Sequence, residues 1–416
     1  MLKNYTNRIF CLIAFFAFAA ESSARILEDW PQWLGTNRDG RSVETGLLKS
    51  WPSGGPQELW RKSIGEGFSG IAVVGDRAFT MVARDGDEFA ICLNASNGEE
   101  TWKTRTGKNF RISWGNGPRA TPVVDGNVVY VAGANASLFA LAANSGEILW
   151  KKDLRQELGG TMPDLGYSNS PLIVDDLLLI PVGGGSGRGV YAFNKTTGEV
   201  VWKTHTDHPG YSSPVLATIH GVRQAVFFTG NKIVSVAPAS GETLWQFSWR
   251  AIGYEAENVA TPVFVSSNEI FFSSAHAATD KGAGVLRISK NGDRFEAKPA
   301  WQSNVMKNHF STSVFHDGFI YGTDKSILKC IDSQTGEEKW RTRGYGEGSL
   351  IFADGHLYIM GTRGKLGLVE ATSSNYREKS SFQAVRGKSY TPPSIANGRI
   401  YVRSQGEMAC FLIVED

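Results

Sequence analysis

Few side chains in this 416-residue sequence stand at spacings that do chemistry unaided. In HTDHPG, His205, Asp207 and His208 could chelate a metal, yet no further ligands follow at a defined spacing, so the segment reads as a solvent-exposed loop. His276 and Asp280 in HAATDKG read the same way. The run VGGGSGRG at 182–189 is glycine-rich, but it joins two strand-like stretches with no helix and no Lys-Ser/Thr after it, which describes a hairpin loop and not a phosphate cradle. There is no nucleophile elbow, no HExxH and no carboxylate pair at hydrolase spacing. The sequence therefore assigns no catalytic residue and no metal site.

A set of recurring positions carries more. Ser/Thr-Pro returns as RATPVV, SNSPLI, YSSPVL and VATPVF, then weakens to FSTSVF and YTPPSI. Three residues before the proline position stand Phe68, Arg119, Ser168, Tyr211, Val259, Phe310, Glu347 and Tyr390, with Trp114, Tyr167, Glu255, Asn258, His309 and Lys388 close by. Brought to one point, these aromatic, amide, cationic and acidic groups would make a small-molecule pocket. The competing reading is that they plug a channel and hydrogen-bond one another.

The elements that would bring them together are repeats. CLNASNGEETW (92–102), ALAANSGEILW (140–150), AFNKTTGEVVW (192–202), SVAPASGETLW (235–245) and CIDSQTGEEKW (330–340) share a small residue ten places before a tryptophan and a glycine four before it. Self-similarity at a period of roughly 40 to 50 residues marks propeller blades. Upstream of the motifs lie apolar strand-like runs broken at Asp-Gly, Gly-Asn or Asn-Gly, which supply the positive φ of two-residue hairpins. Outer-strand aromatics number eight: Trp60, Trp102, Trp150, Trp202, Trp245, Trp301, Trp340 and, in degenerate form, Phe382. The expected fold is all-β, a single eight-bladed propeller of four-stranded antiparallel blades over 58–416. The strand around Trp60 is expected to pair with the C-terminal blade and close the ring. Cys92, Cys330 and Cys410 fall in the small-residue slot and read as buried and inert.

The small-Gly-Trp pattern resembles the pyrroloquinoline quinone (PQQ) repeat of quinoprotein alcohol dehydrogenases, shared with the family of periplasmic outer-membrane protein assembly factors. The opening DWPQWLGTNRDG is also similar to the leader of bacterial PQQ-like propellers. Two functions follow from the resemblance. One is a non-catalytic binding or scaffold propeller for an envelope protein, peptide or saccharide, with no cofactor. The alternative is a quinoprotein-like oxidoreductase of alcohols or sugars with PQQ and Ca²⁺ on the axis, where Glu255 and Asn258 would offer oxygen ligands and Trp114 a stacking plane. Against the alternative, the chain has no vicinal cysteines and lacks the long inserted loops of the dehydrogenases.

The N-terminus reads as an export signal. Lys3 and Arg8 precede an apolar run of about 12 residues, Ile9 to Ala20, that ends at Ser22-Ser23-Ala24, too short to span a bilayer. The expected organisation is a signal peptide at 1–24, a leader at 25–57 packed on the propeller, and a monomeric periplasmic or secreted protein without a membrane span. With 43 Lys+Arg against 41 Asp+Glu and no basic run, a nucleic-acid partner is not indicated.

Overall fold

The computed structural model describes residue 1 and residues 25–250, 258–275 and 282–415; residues 2–24 of the expected signal peptide, Glu255, His276 and Asp280 lie outside it. The described residues form eight sheets and no helix. Blade 1 runs Ala72–Val74, Arg77–Arg84, Asp87–Asn94, Glu100–Lys108, and blade 2 Val123–Asp125, Val128–Ala132, Ser137–Ala142, Ile148–Asp153. Blade 3 is Leu172–Val174, Leu177–Pro181, Val190–Asn194, Val200–Thr204, and blade 4 Val215–Ile219, Val222–Phe228, Lys232–Val236, Thr243–Ser248. Blade 5 is Val263–Phe264, Glu269–Ser273, Ala283–Asn291, Arg294–Ser303, and blade 6 Val314–His316, Phe319–Asp324, Ile327–Asp332, Glu338–Thr342. Blade 7 is Ser349–Ala353, His356–Met360, Lys365–Glu370, Glu378–Gln383; blade 8 combines Ser394–Ala396, Arg399–Arg403 and Glu407–Leu412 with Glu58–Ser63.

The hairpins inside the blades turn where the sequence places Asp-Gly and Asn-Gly. Asp317-Gly318, Asp354-Gly355 and Asn397-Gly398 each carry two successive positive φ angles, the geometry whose twist matches that of the flanking strands. The apolar faces exposed by each sheet are then buried between neighbouring blades. Leu178 and Ile180 of blade 3, for example, pack on Tyr130 and Ala140 of blade 2, and Phe79 and Cys92 of blade 1 on Val129 and Leu141 of blade 2.

The tryptophans bind one blade to the next. The small residue faces the tryptophan across the strand pair, as Ala140 faces Trp150 and Cys330 faces Trp340. Except at Trp245, which donates to Gln224 Oε1 of its own blade, the indole N–H donates to a carbonyl of the following blade: Trp102 to Ala143 (3.1 Å), Trp150 to Lys195 (2.9 Å), Trp301 to Ser333 (2.9 Å). The ring lies on that blade's glycine. A methyl group at Gly198 would stand 2.8 Å from the Trp150 ring, and one at Gly146 would stand 2.5 Å from Trp102. Each motif glycine thus seats the previous blade's ring, and does not merely turn its own strand.

Blade 7 corrects the sequence count. Ser380, not Phe382, occupies the tryptophan register, opposite Leu368 where six other blades keep Ala, Cys or Ser and blade 5 keeps Val285. The missing indole comes from the N-terminal segment. Trp51 is buried, its backbone N–H donates to Ser380 Oγ (2.7 Å), and its ring meets Phe382 edge-on at 5.7 Å.

That segment also crosses the inner strands of the ring. Trp30 pairs with Val73 of blade 1, and Pro31 O accepts from Val124 N of blade 2 (2.9 Å). The Arg38 guanidinium donates to Ser170 O (3.0 Å) and Pro171 O (2.6 Å) at the start of blade 3. Trp33 Nε1 donates to Thr261 Oγ1 before blade 5 (3.0 Å). Arg41–Ser42 adds a parallel strand to Ser349–Ala353 of blade 7, and Asn397 N of blade 8 donates to Glu28 O (3.1 Å).

Candidate functional site

Trp33 brings the N-terminal segment to the floor of a cavity of about 120 Å³ on the axis, walled by the loops that precede the innermost strands. Seven of the eight pre-proline positions line it: Phe68, Arg119, Ser168, Tyr211, Val259, Phe310 and Tyr390. The repeat itself explains the convergence, since equivalent positions in blades arranged around one axis must face that axis. Trp114, Ile112 and Leu165 complete the wall. The rings touch one another. Phe310 lies 4.9 Å from Tyr390 and 5.9 Å from Trp114 by ring centroids, and Phe68 lies 5.5 Å from Tyr390.

The hydroxyls at the rim are already engaged. Ser170 Oγ accepts from Thr121 N (2.9 Å), Ser213 Oγ from Ser170 N (2.9 Å) and Thr312 Oγ1 from Thr261 N (3.1 Å). Ser170, Ser213 and Thr312 of this repeat are therefore blade-to-blade ties, which the sequence did not reveal, whereas Thr261 Oγ1 accepts from Trp33. Ser168 Oγ donates to Tyr211 O (3.0 Å), and the Tyr211 hydroxyl accepts from Leu165 N (3.1 Å).

The cations expected here hold the wall in place. Arg119 donates to Gly115 O (2.8 Å) and to Gly117 O, and lies 5.1 Å from the Phe110 ring. Burial lowers its pKa to about 10. Lys388 Nζ donates to Trp114 O (3.1 Å). A third support went unrecognised: Glu88, fully buried in blade 1, accepts from Phe110 N (3.3 Å) and Ala134 N (3.1 Å), and burial raises its carboxyl to about 7. Its sequence signal is a carboxylate on the same strand face as Ala90 and Cys92, both buried. Together these groups clamp the loop that carries Ile112 and Trp114.

Other expected site residues lie elsewhere. Tyr167 is turned into the core between blades 2 and 3, where its hydroxyl donates to Val182 O (2.6 Å). Asn258 is buried behind the wall, its side-chain amide donating to Thr229 O (2.8 Å) while its backbone carbonyl accepts from Tyr211 N (3.0 Å). His309 stacks on Phe310 at 3.8 Å with Nδ1 3.1 Å from Glu347 Oε2, and that hydrogen bond lowers the Glu347 pKa. Glu347 and Lys388 line a separate open hollow that shares Trp114 and Tyr390 with the cup.

In the loop 205–210, Thr206 and His208 are exposed as expected, but Asp207 is buried, accepting from Thr229 Oγ1 and Asn231 N (3.1 Å). Its oxygens are committed to these donors. Cys92, Cys330 and Cys410 are buried and free, and burial pushes the last two thiols up to about 12. Among the described residues no three His, Cys, Asp or Glu side chains gather at metal-binding distance. PQQ, a planar polyanion, fits the cup poorly: the wall is mainly aromatic and aliphatic, and Arg119, the cation lining it, already donates to two carbonyls. An apolar or aromatic group fits it well.

Comparison with known proteins agrees with the propeller fold. The chain is 25% identical to the outer membrane protein assembly factor BamB of Burkholderia pseudomallei, over 82% of this chain and 80% of that one. It is 23% identical to the tetrathionate hydrolase of Acidithiobacillus ferrooxidans, over 80% of this chain and 72% of the enzyme. The quinohemoprotein alcohol dehydrogenase of Comamonas testosteroni superimposes with a TM-score of 0.68 at 12% identity, covering 94% of this chain and 81% of that one, a likeness of fold alone. With residues 106–342, more than half its length, matching the family described as outer membrane protein assembly factor BamB, the chain belongs to that family.

Proposed function

We propose that this protein is a non-catalytic scaffold of the bacterial envelope, acting in outer-membrane protein assembly and taking an aromatic or apolar side chain of a protein or peptide partner into the axial cup. The observation that carries the reading is the cup itself: seven repeat-equivalent side chains converge on an apolar hollow whose rim hydroxyls and lining cation are spent on the protein's own backbone. Family membership supports the assembly role. The export-type N-terminus supports a periplasmic location for the mature chain, with residues 1–24 removed. No helix among the described residues is long and apolar enough to cross a membrane. No cofactor enters this reading.

The test is a calorimetric titration of residues 25–416 with short phenylalanine- and tryptophan-bearing peptide amides, with a maltooligosaccharide, and with PQQ plus Ca²⁺. Saturable heat with the aromatic peptides is expected, abolished by Tyr211→Ala while the thermal melt stays near wild type. Calcium-dependent saturation by PQQ, with no peptide heat, would overturn the scaffold reading in favour of the oxidoreductase.

A further inference from the structure

The outermost strand of a propeller blade has one free edge, and folded proteins protect such edges with charge, proline or irregular backbone. In each blade two residues of the outermost strand directly precede the tryptophan register, the second of them a bulge; in blade 2 the register passes from Ile148 opposite Leu141 directly to Trp150 opposite Ala140. Six blades place a polar residue or proline in this pair: Glu58-Leu59, Glu100-Thr101, Thr243-Leu244, Pro299-Ala300, Glu338-Lys339 and Glu378-Lys379.

Blades 2 and 3 are the exception, and they are neighbours. Their pairs are Ile148-Leu149 and Val200-Val201, exposed to 43%, 51%, 43% and 51%. The strands that carry them end their sheets with no further partner among the described residues. Val200 and Val201 also line an open groove of about 650 Å³ together with Leu158, Arg188 and Lys203. Its one carboxylate, Glu157, already pairs with Lys152 at 3.5 Å.

We propose that blades 2 and 3 form an edge-strand docking site for an extended segment of another protein, one that alternates aliphatic with acidic residues. Three features select that occupant. The free edge offers a row of main-chain donors and acceptors that only an extended chain can satisfy in sequence. The aliphatic pairs supply apolar contact at the bulge and at the residue before it. Arg188 and Lys203 favour carboxylates over ammonium groups along the groove. The site lies on the outer rim and does not depend on the axial cup.

The probe is a synthetic peptide alternating valine with glutamate, and the control is its valine–lysine counterpart, both followed by fluorescence polarisation against residues 25–416. The guard of blade 6 is transplanted as Ile148→Glu with Leu149→Lys, and as Val200→Glu with Val201→Lys; these exposed positions leave the fold intact, as the melt and peptide binding at the cup will report. The Val-Glu peptide is expected to bind saturably, with affinity falling at least about tenfold in either guarded variant. Equal binding of the lysine peptide, or no loss in the guarded variants, would overturn the proposal. So would sedimentation showing a dimer that the guarded variants abolish, because the occupant would then be a second copy of this chain.

Discussion

Trp150 does three jobs with one side chain: it fills the gap between blades 2 and 3, lies on Gly198, and closes a hydrogen bond to Lys195 O. Trp150→Ala is expected to lower unfolding free energy by about 3 to 5 kcal/mol, since large aromatic truncations leave a cavity as well as lost transfer energy; a denaturant midpoint equal to wild type would remove the indole from the list of inter-blade ties. Glu88 has a pH signature. Its carboxyl moves from an ordinary 4.5 to about 7 in the fold because burial disfavours the charge, against two backbone hydrogen bonds and the pull of Arg119. The folded state therefore holds this proton longer than the unfolded chain, and its contribution is complete below pH 4.5 and lost as pH rises through about 7. Glu88→Gln should flatten stability between those limits, measured as urea midpoints at several pH values. An unchanged slope would assign that dependence to other groups.

Among the elements, regular blades could be read from sequence and exchanged parts could not. The five intact motifs state their register outright, because a small residue, a glycine and a tryptophan at fixed spacing leave one pairing. Blade 7 keeps the pairing but moves its indole to a different segment, Trp51, and nothing local to Ser380 announces that exchange. The same limit hid Trp33, whose place on the cup floor follows from contacts with Thr261, 228 residues away. Trp33→Ala should weaken aromatic-peptide binding at the cup by about tenfold while leaving edge binding at blades 2 and 3 unchanged. Loss of both together would indicate a general loosening of the propeller instead of a missing floor.

At the scale of the molecule, the repeat period gave the all-β eight-bladed architecture, and symmetry alone then gave the pre-proline positions that face the axis. Tyr167 and Asn258 were misplaced because proximity in sequence to a lining residue does not set direction: alternate side chains on these loops point into the wall. Arg119 lines the cup while Lys388 lines the neighbouring hollow, and in the fold both bind backbone carbonyls, a duty that charge alone does not disclose.

The crossing of the ring by residues 28–48 also has a meaning in time. This segment is made before any blade, whereas its partners arrive one after another, from Val73 to Asn397, whose amide reaches Asp29 across 368 residues. Until the last blade emerges, Trp30, Trp33 and Leu47 lack part of their cover, and the inner strands lack theirs. Contacts of such sequence separation form late and slowly. An incomplete chain thus carries its stickiest surfaces open until synthesis ends, which makes this protein a natural client of holding chaperones.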